Sequence, residues 1–324
     1  MCGFAGFLNA SLPRNASQLL RQMTDAIRER GPDDEGQWID EGAGIALGHR
    51  RLSIVDLSPA GHQPMVSASG RYVIIFNGEI YNHQLLRAEL EAASPNHGWR
   101  GHSDTETLLA GIERWGLVET LRRSAGMFGL ALWDREFRQL HLTRDRIGEK
   151  PVYFGWQGHG MERSFLFGSD LKALWPHPSF RFEVDRTGLT SLLRFGYVAK
   201  PLSIFEGIGK LEPGMIATVS LERPEPVLNP YWNFREVVQE CLADPLTGSP
   251  EETTAELERL LKQAISRQME ADVPVGAFLS GGVDSSTIVA LMQEIARERG
   301  QQPVRTFTIG FEDQRYDEAP FAKA

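Results

Sequence analysis

Short apolar runs separated by Gly, Pro and polar turn residues dominate the first two hundred positions. The runs at 4–8, 45–49, 73–76, 128–133 and 139–143 are too short for helices and predict strands of one or two sheets. Between them, Leu19, Leu20, Met23 and Ile27 recur at helical spacing, as do Leu85, Leu86 and Leu90. Ser103-Asp-Thr-Glu106 has the capping-box pattern and predicts a helix running through Trp115. After about residue 200 the texture changes, and the Pro- and Glu-containing stretches at 221–230 and 243–250 read as a connector. The expected division is a domain over 2–215, a connector over 216–250 and a second domain over 251–324. In that second part, 253–269 predicts an amphipathic helix with Leu257, Leu260, Leu261, Ala264 and Ile265 on one face. An apolar run at 273–279, a glycine loop, a helix over 284–298 and a strand over 304–311 follow. Strand, loop, helix and strand in that order build a parallel sheet. Two strands cannot enclose a nucleotide-binding domain, so the sequence is expected to be truncated, part of a longer protein.

Length adds that 324 residues exceed what one ordinary core supports, which favours two domains. A hydrophobic fraction of 41% and a charged fraction of 24% fit a folded globular chain, and no repeat or low-complexity tract interrupts it. The formal net charge of -9 offers no broad cationic field, which argues against nucleic acid and anionic membrane as partners. Cys2 and Cys241 are too few for a disulfide framework or a structural zinc site, as suits a reducing, cytoplasmic setting. No apolar run approaches the roughly 18 residues of a membrane span, and no basic segment precedes an apolar one at the start. Met1-Cys2-Gly3 is therefore expected to be a mature start from which Met1 is removed, leaving Cys2 with a free α-amine.

Such a cysteine carries thiol and amine on one Cα, so the amine, with an ordinary pKa of about 7.7 to 8.0, can take the thiol proton. Alone, Cys2 reads equally well as a small buried apolar residue. Its company decides. Met1-Cys-Gly-Phe-Ala-Gly6, Arg30-Gly-Pro-Asp33, His49-Arg-Arg-Leu-Ser-Ile-Val-Asp56, Asn77-Gly-Glu-Ile-Tyr-Asn82 and Gly101-His-Ser-Asp104 occur in that order. Each has a plain structural alternative: Asn77-Gly78 suits a hairpin turn after a strand, Arg51 a surface charge, and Asp104 a helix N-terminus. Together they resemble the class II glutamine amidotransferases, N-terminal-nucleophile hydrolases that release ammonia from glutamine. The resemblance implies Cys2 as nucleophile and Asn77 with Gly78 as oxyanion donors. It implies Arg51 at the glutamine α-carboxylate, Glu79 with Asp104 at its ammonium, and Leu52 among the glutamine-binding residues.

Downstream, Leu279 leads into Ser280-Gly281-Gly282-Val283-Asp284-Ser285-Ser286. A Gly-rich loop between strand and helix presents backbone N–H groups and a helix N-terminus to an anion, although a plain strand-to-helix turn needs the same glycines. The pattern resembles the SGGxDS signature of ATP pyrophosphatases and lacks the Gly-Lys-Ser/Thr ending of a Walker loop. With Arg144-Asp-Arg-Ile-Gly-Glu-Lys-Pro151, Phe167-Gly-Ser-Asp170, Phe205-Glu-Gly-Ile208 and Leu211-Glu-Pro-Gly214, the likeness extends over nearly the whole chain to the glutamine-hydrolysing asparagine synthetases. That resemblance implies an α/β and α+β chain: an N-terminal-nucleophile αββα sandwich, then the start of a parallel-sheet ATP-pyrophosphatase domain of adenine nucleotide α-hydrolase type. It also implies a reaction in which ATP adenylates aspartate, pyrophosphate leaves, and ammonia attacks the acyl-adenylate. Glutamine, aspartate, ATP and Mg²⁺ are the expected small molecules, Asp284 is the candidate metal ligand, and a homodimer is left open as the assembly. Two alternatives stand beside this: a relative that amidates another carboxylate in a polysaccharide or natural-product pathway, and a glutaminase-only or non-catalytic fragment.

Overall fold

The computed structural model describes residues 2–94 and 98–323. Met1, whose removal is expected, lies outside the described residues. The chain divides into two compact units, Met1–Val237 and Val238–Ala324.

The first unit runs β1 (Gly3–Leu8), α1 (Ala16–Asp25), β2 (Asp34–Asp40), β3 (Ile45–Arg51), β4 (Met65–Val66), β5 (Tyr72–Ile80), α2 (His83–Ala93), α3 (Asp104–Trp115), α4 (Leu117–Arg123), β6 (Gly126–Asp134) and β7 (Gln139–Arg144). It continues through β8 (Tyr153–Gln157), β9 (Ser164–Gly168), α5 (Arg186–Phe195), β10 (Gly209–Lys210), β11 (Met215–Val219) and β12 (Val227–Pro230). These strands form two six-stranded sheets, ordered β10-β8-β9-β1-β3-β2 and β12-β11-β7-β6-β5-β4, with every registered pair antiparallel.

The two-residue period of the strands builds the layers. In β1, Phe4 and Leu8 enter the core between the sheets, whereas Ala5 and Phe7 pack outward with Leu19, Leu20 and Met23 of α1. In β5, Val73 and Ile75 face the same inter-sheet core, whereas Ile74, Phe76 and Ile80 meet Leu86 of α2 and Leu108, Leu109 and Ile112 of α3. Helix, sheet, sheet and helix therefore stack as the expected αββα sandwich.

Several local expectations need correction. The connector over 216–250 is partly sheet. Ile216, Ala217 and Val219 of β11 are buried against β7, and β12 pairs with β11 as far as Pro230, because the alternating apolar residues complete the second sheet. Asn77-Gly78 does not follow a strand; it lies inside β5, opposite Gly129 and Phe128 of β6. Leu85 is exposed, and His83, Leu86 and Leu90 form the buried stripe of α2. Ser103 caps α3 by accepting from Glu106 N–H, but the Glu106 carboxylate turns to the N–H groups of Arg100 and Gly101, so only half of the capping box forms.

After α6 (Phe234–Ala243), the second unit contains α7 (Pro250–Gln268), β13 (Gly276–Phe278), α8 (Val283–Glu298), β14 (Arg305–Phe307) and α9 (Ala319–Lys323). Strands β13 and β14 pair in parallel, as the strand-loop-helix-strand order predicts. Both are shorter than the apolar runs at 273–279 and 304–311, and Phe278 is 78% exposed, so β13 is not the buried strand expected. Leu257 and Leu260 of α7 are likewise exposed. A parallel strand needs neighbours on both faces to bury such residues, and among the described residues this unit has a single pair of strands. Among the described residues no helix is long and apolar enough to cross a membrane.

Candidate active site

The inter-sheet space opens at one end into a cavity, and strand parity decides what faces it. Cys2 continues the inward positions of β1, His49 and Arg51 continue those of β3, and Asn77 and Glu79 continue those of β5. Cys2, Arg51, Leu52, Asn77, Gly78, Glu79 and Asp104 all line this one cavity. Seven positions spread over a hundred residues of sequence thus share a wall.

The Cys2 thiol sits against the backbone of Leu52, whose N–H donates to Sγ at 3.3 Å; Sγ lies 3.5 Å from the Leu52 carbonyl. Burial pushes the thiol pKa up, against the lowering effect of the Leu52 hydrogen bond. At neutral pH the resting group is therefore the protonated thiol, and nucleophilic use of Cys2 requires a base.

Asn77 is 1% exposed, and its Nδ2 has no hydrogen-bond partner among the described residues. A buried amide donor without a partner costs free energy, so one expects a ligand to complete it. Gly78 is required by close approach: a Cβ there would lie 2.3 Å from the Met127 carbonyl oxygen. Along β5 the even-numbered residues direct their main-chain groups away from β6. Phe76 N–H donates to Gln63 Oε1 at 2.7 Å and Ile80 N–H to Asp104 Oδ2 at 2.9 Å. The N–H of Gly78 lies between them on the same edge, which β4 is too short to cover.

Arg51 is held by the loop that follows it. Its guanidinium donates to the carbonyls of Ser58 at 3.2 Å and Val55 at 3.3 Å, and to that of Asp56. Gly61 packs so closely that a Cβ would meet Nη2 at 1.9 Å. Neutral carbonyls fix the plane of the group without neutralising its charge. Buried Asp56 ties this loop to the start of α3, its carboxylate accepting from His102 N–H at 2.8 Å and Ser58 N–H at 3.1 Å. Asp104 opens α3, and burial raises its pKa to about 6 against the hydrogen bonds from Ile80 and Thr105.

Sequence reasoning missed three residues here. Lys150, buried at the cavity wall, has its ammonium pKa lowered by burial. It is placed there by Arg144, which donates to Lys150 C=O at 2.8 Å, and by Asp145, which accepts from its N–H at 2.9 Å. The family-like Arg144–Lys150 segment is the available signal, and it assigns no role. Gln63 and Thr105 carry no such signal; only the fold brings them to the cavity. Cys241 is exposed and distant in sequence from every cavity-lining residue.

In the second unit, Leu279 N–H bonds Phe307 C=O at the end of β13, and the chain then turns through Gly281 at φ +80. Ser280 and Ser285 hydroxyls lie 2.9 Å apart, and Ser280 Oγ also accepts from Gly282 N–H at 3.4 Å. Gly282 is the N-cap of α8 and supplies no side-chain cap, so Val283, Asp284 and Ser285 open the helix with first-turn amides that face an anion, whereas Ser286 N–H donates to Gly282 C=O at 3.0 Å. Among the described residues no group of three His, Cys, Asp or Glu side chains converges, so Asp284 is the one carboxylate this loop offers a metal.

Residues 1–232 match the family model described as glutamine amidotransferase domain, and residues 256–324 match the one described as asparagine synthase. Asparagine synthetase [glutamine-hydrolyzing] 3 of Bacillus subtilis is 36% identical over 319 residues, covering 97% of this chain and 48% of that protein. A putative asparagine synthetase [glutamine-hydrolyzing] of Mycobacterium tuberculosis is 35% identical over 344 residues, covering 100% of this chain and 50% of that protein. Amidase chry2 of Gibberella zeae is 31% identical over 311 residues, covering 92% of this chain and 44% of that protein. The chain thus spans about half the length of the curated relatives it matches. Among solved structures, the glutamine phosphoribosylpyrophosphate amidotransferase of B. subtilis superposes with a TM-score of 0.54 at 15% identity, over 96% of this chain and 67% of that one, a likeness of fold.

Proposed function

The chain belongs to the glutamine amidotransferase family over residues 1–232, and from that premise we propose that its first unit hydrolyses glutamine at Cys2. One observation carries the proposal: a single cavity collects a thiol, an unpartnered amide donor, a carbonyl-caged guanidinium and two carboxylates. Arg51 takes the α-carboxylate of glutamine, and Asp104 with Glu79 takes its α-ammonium, which lays the side-chain amide beside Cys2. Once Met1 is removed, the α-amine of Cys2 accepts the thiol proton and the thiolate adds to the amide carbon. Asn77 Nδ2 and Gly78 N–H receive the oxyanion. The proton then passes to the amide nitrogen, the C–N bond breaks, ammonia leaves and a thioester remains. Water hydrolyses the thioester to glutamate and returns the thiol.

The second unit supplies the beginning of the ammonia-using half. The loop of Ser280 to Ser286 fits a pyrophosphate group, with Leu279 on the nucleotide side, so ATP is its proposed ligand and aspartate the proposed acceptor. Adenylation would turn a poor leaving oxygen into a good one. For Mg²⁺ the chain offers Asp284 with phosphate oxygens, and no step is assigned to the metal. Because a relative named as an amidase matches this chain alongside those named as asparagine synthetases, one second reading is amidation of a carboxylate other than that of aspartate. Assay of the full-length protein with aspartate against other carboxylates separates the two, and failure with aspartate alone rejects the first.

A glutamine-mimicking electrophile such as a diazo ketone should label Cys2, as read by mass mapping of peptides. Labelling of Cys241 with Cys2 untouched would overturn the site.

Asp104 gives the site a pH signature. Its raised pKa means that between the ordinary carboxylate range and about 6 the folded protein holds a proton the unfolded chain has lost, so stability declines as pH rises through that window. Ammonium binding needs the ionised carboxylate, so glutamine affinity should rise over the same window and level off above it. Titration calorimetry in a Cys2→Ala background between about pH 5 and about pH 7 should show this rise, and adding Asp104→Asn should abolish it. An unchanged inflection in the variant would assign the titration to another group.

A further inference from the structure

We infer that Gln63 is a positioning residue for the oxyanion donors, an inference that rests on the glutaminase reading above. The Met65↔Ile74 register of β4 and β5, continued by two residues, puts position 63 opposite Phe76. The main chain no longer pairs there, and the Gln63 side chain takes the place of the missing strand. Its Oε1 accepts from Phe76 N–H at 2.7 Å, and its Nε2 donates to Thr105 Oγ1 at 3.2 Å. On the same strand edge, His49 Nε2 lies 2.9 Å from Phe76 C=O. Burial lowers the His49 pKa to about 4, so the ring is neutral and, facing a carbonyl, carries its proton on Nε2 as donor. The residue immediately before Asn77 is thus clamped through both its N–H and its C=O.

Gln63 is 4% exposed and lines the cavity, so these bonds are made out of water. Thr105 Oγ1 lies 3.4 Å from Asp104 Oδ1, while the other carboxylate oxygen of Asp104 is fixed independently of Gln63 by Ile80 N–H at 2.9 Å. A glutamine can make both of its bonds because one planar amide offers an acceptor to the strand and a donor to the helix; methionine of similar length offers neither. Loss of the clamp frees the Phe76 peptide to turn, and the Gly78 N–H two residues on loses its aim at the developing charge. Ground-state contacts at the amino-acid end of glutamine, made by Arg51 and the carboxylates, do not pass through that peptide.

The test is Gln63→Met in the full chain. Steady-state kinetics are read together with affinity for the γ-aldehyde analogue of glutamine, whose adduct with Cys2 carries a tetrahedral oxyanion. Glutamine binding is measured separately in a Cys2→Ala background. Expected are a fall in kcat of about 10- to 100-fold and an equal weakening of the aldehyde, with glutamine affinity held within about threefold. Gln63→Glu keeps the acceptor for Phe76 and should lose about tenfold; it decides the matter if Gln63→Met is not recovered folded. Wild-type kcat and aldehyde affinity in a folded variant, or a loss shared equally by glutamine binding, would overturn the inference. A wild-type protein that forms no aldehyde adduct at Cys2 sinks the glutaminase reading itself, a distinct result.

Discussion

Replacing Cys2 with alanine is expected to reduce ammonia release from glutamine to background, a loss on the order of 10⁴-fold or more, while glutamine still binds. In the proposed mechanism the nucleophile acts as a unit with its own α-amine, so no neighbouring side chain would substitute for either part. Binding survives because the groups proposed to hold the amino-acid end, Arg51, Glu79 and Asp104, lie on other segments of the cavity wall. Ammonia-driven amidation by the full-length protein should be unaffected. Glutaminase turnover persisting in Cys2→Ala would remove the residue from the mechanism. Retention of Met1 in the fully active protein would remove the base, since burial keeps the thiol protonated at neutral pH.

The second large effect is expected at Asn77. Truncation to alanine deletes the proposed oxyanion donor and should lower kcat by about 10² to 10³ with little change in KM. The same substitution should leave the melting temperature unchanged or raise it. Asn77 Nδ2 is buried without a partner among the described residues, so alanine removes a desolvated donor and breaks no hydrogen bond made by it. Activity and stability should therefore move independently, which thermal unfolding beside steady-state kinetics will show. A variant that loses activity only in proportion to a lost folded fraction would demote Asn77 to a structural role.

Much of this site is legible only in combination. Cys2, Asn77-Gly78 and the Ser280-Gly-Gly-Val-Asp284 loop each have a plain structural alternative, and it is their occurrence together and in order that points to the chemistry. The strands are legible because their apolar runs, at 4–8, 45–49 and 73–76, are short and bounded by turn residues; which residues face which layer is not. What escapes is whatever depends on where a strand stops pairing. Asn-Gly looks like a turn from sequence, and it sits in mid-strand because β6 pairs across it throughout. Gln63 looks like a loop residue, and it matters because β4 is two residues long. The stretch over 216–250 reads as a connector because Pro224-Glu-Pro226 masks the alternating Ile216, Ala217 and Val219 that complete a sheet. In the second unit the runs at 273–279 and 304–311 promise longer, buried strands than the two described, since pairing partners and not composition set strand length.

The parity of β5 has a consequence for how this protein can change. Odd positions from Val73 to Glu79 look into the space between the sheets, and even positions look to the helices. Inserting or deleting one residue between Tyr72 and Asn77 would exchange those two populations, sending the amide of Asn77 among the leucines of α3. The segment is therefore closed to changes of length, whereas the exposed hairpin joining β6 to β7 at 135–138 lies outside that parity. Scanning single-residue insertions along the first unit would draw that boundary as an abrupt edge in recovered activity.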